Sequence, residues 1–264
     1  MFAVHPLYSS SSGNMFHIAS STTNILIDIG VTYKAAMEGL KTINLDTKKI
    51  DAVLITHEHI DHIKGLPLFC RKNNIPIYTC EQTANYLREL LNEKNIDAQI
   101  IDIEYNSTFK IRDLEITAFE TSHDALMPCG YKIKSEDSCI AYATDLGYVS
   151  NEIFSILKES DYTILESNYD ESMIDFGTYP FMLKRRIKSN TGHLSNDHSG
   201  QTIARLAQNG HTRFLLTHMS QNNNTIEIAK QTIESILNQN GINPQDIELN
   251  FASKTLSDEE YTIC

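Results

Sequence analysis

Val53-Leu54-Ile55-Thr56-His57-Glu58-His59-Ile60-Asp61-His62 is a β-branched, apolar run that stops abruptly at three imidazoles and a carboxylate. Its first half reads as a strand and its second as a polar loop at a sheet edge, where a rigid scaffold commonly carries reactive groups. Residues two apart in extended chain point to one side. His57 and His59 can therefore grip one cation, while Asp61 and His62, past the bend, reach a second. One isolated histidine would be read as a solvated or packing residue. Here the pattern recurs: His123 follows the run 114–121, Asp145 follows 140–144 and His218 follows 214–217. Four strands that each end in a ligand-type residue are not what a freely titrating loop predicts.

Working outward, residues 2–7, 15–18 and 24–29 are short apolar runs separated by turn signals such as Ser11-Ser12-Gly13-Asn14, which predicts an opening β-meander. Residues 33–40 have helical spacing. Helices at 63–72 and 81–94 around a strand at 75–79 then begin a βαβα alternation. Strand candidates follow at 98–103, 107–111, 114–121, 130–133 and 138–144. The remainder predicts helices at 153–159, 179–188, 197–209 and 225–239, the last stopped by Gly241, with strands at 162–166, 214–217 and, as an edge, 247–252. The expected class is α/β, with two mixed sheets stacked face to face under helices in a four-layer αββα sandwich. No linker, repeat or low-complexity tract divides the chain, so residues 1–252 are expected to form one domain and 253–264 a loose acidic tail.

The 264 residues carry 22 Lys plus Arg against 34 Asp plus Glu, a formal charge of −12 that two divalent cations would only partly offset. Such a surface repels polyanions. It argues against coating nucleic acid by charge alone, so a nucleic-acid enzyme would need local basic relief. Cys70, Cys80, Cys129, Cys139 and Cys264 are odd in number, scattered and without a Cys-x-x-Cys pair, which suits reduced thiols in a cytoplasmic protein. No leader pattern opens the sequence and no apolar stretch approaches about eighteen residues, so neither export nor a membrane is expected.

His57-x-His59-x-Asp61-His62, with His123, Asp145 and His218 after it, resembles the signature of the metallo-β-lactamase superfamily across nearly the whole chain. The resemblance implies two divalent metals: His57, His59 and His123 on one, Asp61, His62 and His218 on the other, and Asp145 bridging. Nitrogen and oxygen ligands without thiolate admit zinc, manganese or iron. Asp28, ending the run 25–29, matches an acidic residue that orients a ligand histidine from behind. Ser11-Ser12-Gly13-Asn14, Thr56-His57-Glu58-His59, Ser122-His123-Asp124-Ala125 and Gly192-His193-Leu194-Ser195-Asn196 resemble the YycJ/WalJ branch, which is assigned to DNA exonucleases. Glu166-Ser167-Asn168-Tyr169-Asp170 resembles that branch's Glu-x-Asn-His-Asp stretch, with Tyr169 where histidine is usual, so no role is carried over to position 169.

Two cations about 3.5–4 Å apart can share a water, lower its pKa towards neutrality and stabilise both attacking and leaving oxygens. A phosphodiester suits such a site because charge is neutralised where it develops. The resemblance thus implies a metal-dependent phosphodiesterase, a 5′-to-3′ exonuclease on DNA, with RNA processing and hydrolysis of a small ester, thioester or lactone as alternatives. Asp145 and His218 lie too close in sequence for the extra domain usual in the RNA-processing group, and fold alone does not decide substrate. Asp61 and His193 are the expected catalytic groups. His193 precedes the N-cap signal Ser195-Asn196-Asp197 and is expected to reach the scissile phosphate as a hydrogen-bond or proton donor. Lys184, Arg185, Arg186 and Lys188 form the densest positive cluster. They read either as a phosphate track or as the wet face of a helix whose Phe181, Met182 and Ile187 turn inward. Ser12, Asn14 and Asn168 are further candidate substrate contacts, although a hairpin turn also explains residues 9–12. His5, His17, His198 and His211 read as surface or packing residues.

Overall fold

In the computed structural model, which describes residues 1–263, the chain divides into two compact units. The first comprises Met1–Glu120, Ala125–Ser138 and the residues from Ser253 on; the second comprises Thr121–Asp124 and Cys139–Ala252. The class is the expected one, α/β with two mixed sheets. Among the described residues no helix is long and apolar enough to cross a membrane.

In the first unit, β1 (Phe2–Ser10), β2 (Gly13–Ala19) and β3 (Asn24–Ile27) form the predicted meander, and Ser10 pairs with Gly13 across a tight turn at Ser11 and Ser12. From β3 onward the pairing turns parallel: β4 (Ala52–Leu54), β5 (Ile77–Cys80) and β6 (Ile100–Ile103) are each reached through helix, as parallel neighbours require. Those helices are α1 (Tyr33–Thr42), the short α2 (Ile60–Ile63) with α3 (Leu66–Lys72), and α4 (Glu81–Glu93). The Thr32 hydroxyl accepts the Ala35 amide and caps the start of α1. Leu26, Val53 and Ile77 from the strands meet Leu40, Leu66, Phe69 and Leu87 from the helices in one buried cluster. Each such side chain contributes about 1.5–3 kcal/mol by leaving water. β7 (Thr108–Ile111), β8 (Leu114–Glu120) and β9 (Cys129–Lys134) make a second antiparallel meander.

The end of the chain departs from expectation. Residues Tyr261–Ile263 are not loose: as β14 they pair antiparallel with β1 at the sheet edge, and Ile263 is fully buried.

The second unit is a parallel sheet ordered β10 (Cys139–Ala143), β11 (Tyr162–Glu166), β12 (Arg213–Thr217), β13 (Glu248–Phe251). β10 and β11 are buried along their whole length, which is why they read as continuous apolar runs rather than alternating ones. The crossovers are α5 (Asn151–Lys158), then α6 (Glu171–Phe176), α7 (Phe181–Ile187) and α8 (Asn196–Ala207), then α9 (Ile226–Gln239). Ser150, Asp170, Ser195 and Thr225 each cap a helix by accepting an amide three residues on. α6 was not anticipated from sequence. On α7 the inward residues are Leu183 and Ile187, which pack on Tyr169, Ile174 and Tyr179. Phe181 and Met182, expected to face inward, are exposed, because the single turn that buries Leu183 and Ile187 carries its first two residues to the opposite side.

Candidate metal centre

Each unit assembles ligand-type side chains at the carboxyl ends of its parallel strands, where open α/β sheets build sites.

In the first unit β4 delivers Thr56 and His57. The chain stays extended to His59 (φ −60°, ψ 148°) and then turns into α2, so Asp61 and His62 sit on a helical turn rather than a loop. Asp28, fully buried and left-handed at φ 60°, organises this segment. Its Oδ1 accepts the Thr56 amide at 2.9 Å, and its Oδ2 accepts the Thr56 hydroxyl at 2.9 Å and His62 Nδ1–H at 2.8 Å. Burial pushes the Asp28 carboxyl up, against the His62 ring and the Thr56 bonds that favour its ionised form. Having given its proton to Asp28, the Thr56 hydroxyl accepts from His57 Nδ1, 3.0 Å away. With Nδ1 protonated in both rings, His57 and His62 present Nε2 lone pairs. The His62 Nε2 lies 3.5 Å from Asp61 Oδ2, and the His57 ring centre is 4.6 Å from that of His59.

Backbone bonds sew this segment to the end of β3: Ile29 N–H to His62 O at 2.9 Å and Gly65 N–H to Ile29 O at 2.9 Å. The approach is so close that a Cβ on Gly30 would stand 1.6 Å from Asp61 O. Asn14, 1% exposed, donates its amide to Asp61 O at 3.3 Å and stands 3.3 Å from His62 Nε2, so it braces the ligand turn from within. Ser12 is exposed on its hairpin.

In the second unit Asp145, Glu166, His193 and His218 place one ligand atom each within 4.8 Å of one another. Asp145, separated from the end of β10 by Thr144, and His218, directly after β12, are both left-handed, at φ 57°. Non-glycine residues seldom adopt that conformation, and where they do the strain concentrates at functional positions. Glu166 ends β11. Its Oε1 accepts His193 Nδ1–H at 2.7 Å and lies 3.0 Å from His218 Nδ1, while Oε2 accepts the amides of Leu146 at 2.7 Å and Leu194 at 3.3 Å. Burial opposes its charge, but the two imidazoles outweigh that and hold the carboxyl below the ordinary range. His123 gives Nδ1–H to Gly192 O at 3.0 Å, leaving Nε2 3.7 Å from Asp145 Oδ1; the His218 Nε2 lies 3.6 Å from the same oxygen.

Rings anchored through Nδ1 to a carboxylate or carbonyl, with Nε2 turned to a common point, are oriented as metal-bound histidines are. Separations of 3.6 and 3.7 Å are too long for a hydrogen bond. They suit nitrogen and oxygen ligands that each stand about 2.0–2.2 Å from one cation. The donor set therefore fits a divalent metal. His193, at 15% side-chain exposure against 1% for His218, is the more accessible ring.

The remaining candidates divide. Asn168 is buried and donates to His218 O at 2.7 Å, so it holds that strained turn. Lys188 Nζ binds Glu171 and Asp175, both at 2.8 Å, and Lys184 Nζ donates to the carbonyls of Asp175 and Gly177 at 2.8 Å. Arg186 clamps Asp124 through two bonds, at 2.5 and 2.9 Å. These three cations fasten neighbouring segments together, and Arg185 is exposed and forms no ion pair among the described residues. Glu166 carried no assigned role in the sequence reading, although a carboxylate that closes the apolar run 162–166 repeats the strand-then-ligand pattern.

A profile described as the beta-lactamase superfamily domain matches residues 23–219. The chain is 33% identical over 235 residues to Exodeoxyribonuclease YycJ of Bacillus anthracis, covering 89% of each protein. It is 35% identical over 234 residues to Exodeoxyribonuclease WalJ of Streptococcus pneumoniae serotype 2, covering 88% of this chain and 87% of that one. Among solved structures, the metallo-beta-lactamase fold protein YhfI from Bacillus subtilis matches with a TM-score of 0.73 at 16% identity, over 97% of this chain and 98% of the other. Zn(2+)-bound PqqB from Methylobacterium extorquens matches at 0.72 and 14% identity over 100% of both.

Proposed function

Since the chain belongs to the metallo-β-lactamase superfamily, we propose that this hydrolase is a DNA exonuclease acting in the 5′-to-3′ direction. The observation that carries the reading is identity of 33% and 35% over almost nine-tenths of the length to two exodeoxyribonucleases. The ligand set inferred from sequence stands as part of the proposal: His57, His59 and His123 for one divalent metal, Asp61, His62 and His218 for the other, and Asp145 for both. Zinc, manganese and iron all suit these donors. When bound, such metals supply a nucleophile at neutral pH and neutralise charge developing on a phosphate.

The protein's own groups divide the remaining work. His193, its Nδ1–H held by Glu166, turns Nε2 outward, where it donates a hydrogen bond to a phosphate oxygen or a proton to the leaving oxygen. Glu166, whose carboxyl is held below the ordinary range, fixes the orientation of that ring through the bond to Nδ1. Asp28 and Thr56 fix the tautomers of His57 and His62. A cytosolic location is supported by the free cysteines Cys70, Cys80, Cys129 and Cys139.

The test is digestion of DNA labelled at one end or the other by metal-reconstituted protein, beside RNA and a thioester, with Asp61→Ala as control. Early release of the 5′ label, absent in the variant, is the expected result. Turnover of the thioester with intact DNA would replace the reading with small-molecule hydrolysis.

A further inference from the structure

Phe176, Phe181 and Met182 are the most exposed large hydrophobic residues of the described chain, at 92%, 75% and 70%. Scattered apolar residues on a surface need no explanation. Phe176 is the last residue of α6 and Phe181 and Met182 form the first turn of α7, and Phe181 lines a groove of about 690 Å³ with Asp175, Tyr179, Lys184, Arg185 and Lys188. α7 carries three basic residues and no acidic one, in a chain whose net charge is −12. Arg185 forms no ion pair among the described residues, while Lys184 and Lys188 are pinned at the groove's edge by α6.

The surface is tied to the candidate site within the same unit. His193 N–H donates to Ile187 O at 2.9 Å, and a Cβ on Gly192 would stand 2.2 Å from that oxygen, so the end of α7 and the His193 loop are in direct contact. Arg186 binds Asp124, the neighbour of His123. Flat rings interleaved with cations match a nucleic acid strand, whose bases stack on aromatic faces while its phosphates take the positive charge. A base-paired duplex keeps its bases stacked on one another and offers only end faces to such rings.

We propose that Phe176, Phe181 and Arg185 form a stacking platform for unpaired nucleotides of the DNA strand beside His193. The rings take the bases and Arg185 takes a phosphate. The proposal rests on the exonuclease reading and adds to it where, and in what form, the strand is held.

The chain contains no tryptophan, so Phe181→Trp introduces a single indole at the platform. Metal-loaded Phe181→Trp protein is titrated with a short oligothymidylate carrying nuclease-resistant linkages, and with an abasic strand of equal length and charge. Quenching by oligothymidylate but not by the abasic strand is expected. The double variant Phe176→Ala/Phe181→Ala should bind oligothymidylate about tenfold or more weakly, with an unchanged melting temperature because both rings are exposed, and Phe181→Tyr should restore affinity. Equal quenching by both strands, or unchanged affinity in the double variant, overturns the platform. So does a shift of the double variant from dimer to monomer in sedimentation with DNA affinity intact, which would make this face a contact between two copies. Hydrolysis of bis(p-nitrophenyl) phosphate by the wild-type protein reports the metal chemistry separately, so failure of the phosphodiesterase reading is told apart from failure of the platform.

Discussion

Glu166 accepts from two imidazoles and two amides while fully buried, and its replacement separates positioning from chemistry. In Glu166→Gln one of the two accepting oxygens becomes an NH2 donor, so the side chain can no longer accept from the two rings and the two amides together. Loss of such a partner behind a metal ligand typically costs about 10–100-fold in affinity or activity. Metal content and DNA turnover measured side by side should both fall; wild-type values for both would remove the role assigned to Glu166. His193→Ala makes the opposite test. It removes a donor but none of the seven inferred ligands, so metal content should hold while turnover drops by about 10²–10⁴-fold. Full turnover with both metals present would show that His193 only packs.

At the scale of elements, the ligand turn depends on a glycine rather than on a ligand. Gly30→Ala would drive a methyl group into Asp61 O, which a Cβ would approach to 1.6 Å, and neither backbone segment is free to yield because both belong to one hydrogen-bonded knot. The expected loss exceeds about 3 kcal/mol, read as a lower midpoint in urea, and a midpoint equal to wild type would show that the turn relaxes freely. Sequence made the strand-then-ligand pattern legible at His57, His123, Asp145 and His218, because an apolar run that stops at a polar residue is a local signal. The left-handed backbone at Asp28, Asp145 and His218 was not legible, since none of them is glycine and the strain is imposed by neighbours distant in sequence. α6 escaped notice because six residues with only Ile174 buried carry no periodicity. The pairing of β14 with β1 joins the two ends of the sequence and leaves no local mark. Asn14 and Asn168 read in sequence as polar contacts for a substrate, and their burial and their bonds to Asp61 O and His218 O left no local mark there.

For the whole molecule, acid sensitivity follows from histidines outside the candidate site. His17 is 4% exposed, stacks on His5 at 5.2 Å and donates to Asn24 Oδ1 at 3.0 Å. Burial lowers its pKa from 6.5 to about 4, and burial also lowers His5 and His211, with Glu260 partly opposing the shift at His5. Between those two values the unfolded chain takes up a proton that folded His17 refuses. Its contribution is therefore complete above pH 6.5, falls as pH drops below that value, and stops changing below about pH 4. A shift of this size corresponds to roughly 3 kcal/mol, with a steepest slope of about 1.4 kcal/mol per pH unit for one proton. Urea unfolding of metal-free protein at pH 7.5, 6 and 5 measures the slope without the separate pH dependence of metal binding. His17→Gln, which keeps a donor for Asn24 but cannot titrate, should be less sensitive to acid by about one proton over that interval. An identical slope in the two proteins would mean that His17 takes up its proton without unfolding and that the acid sensitivity lies elsewhere.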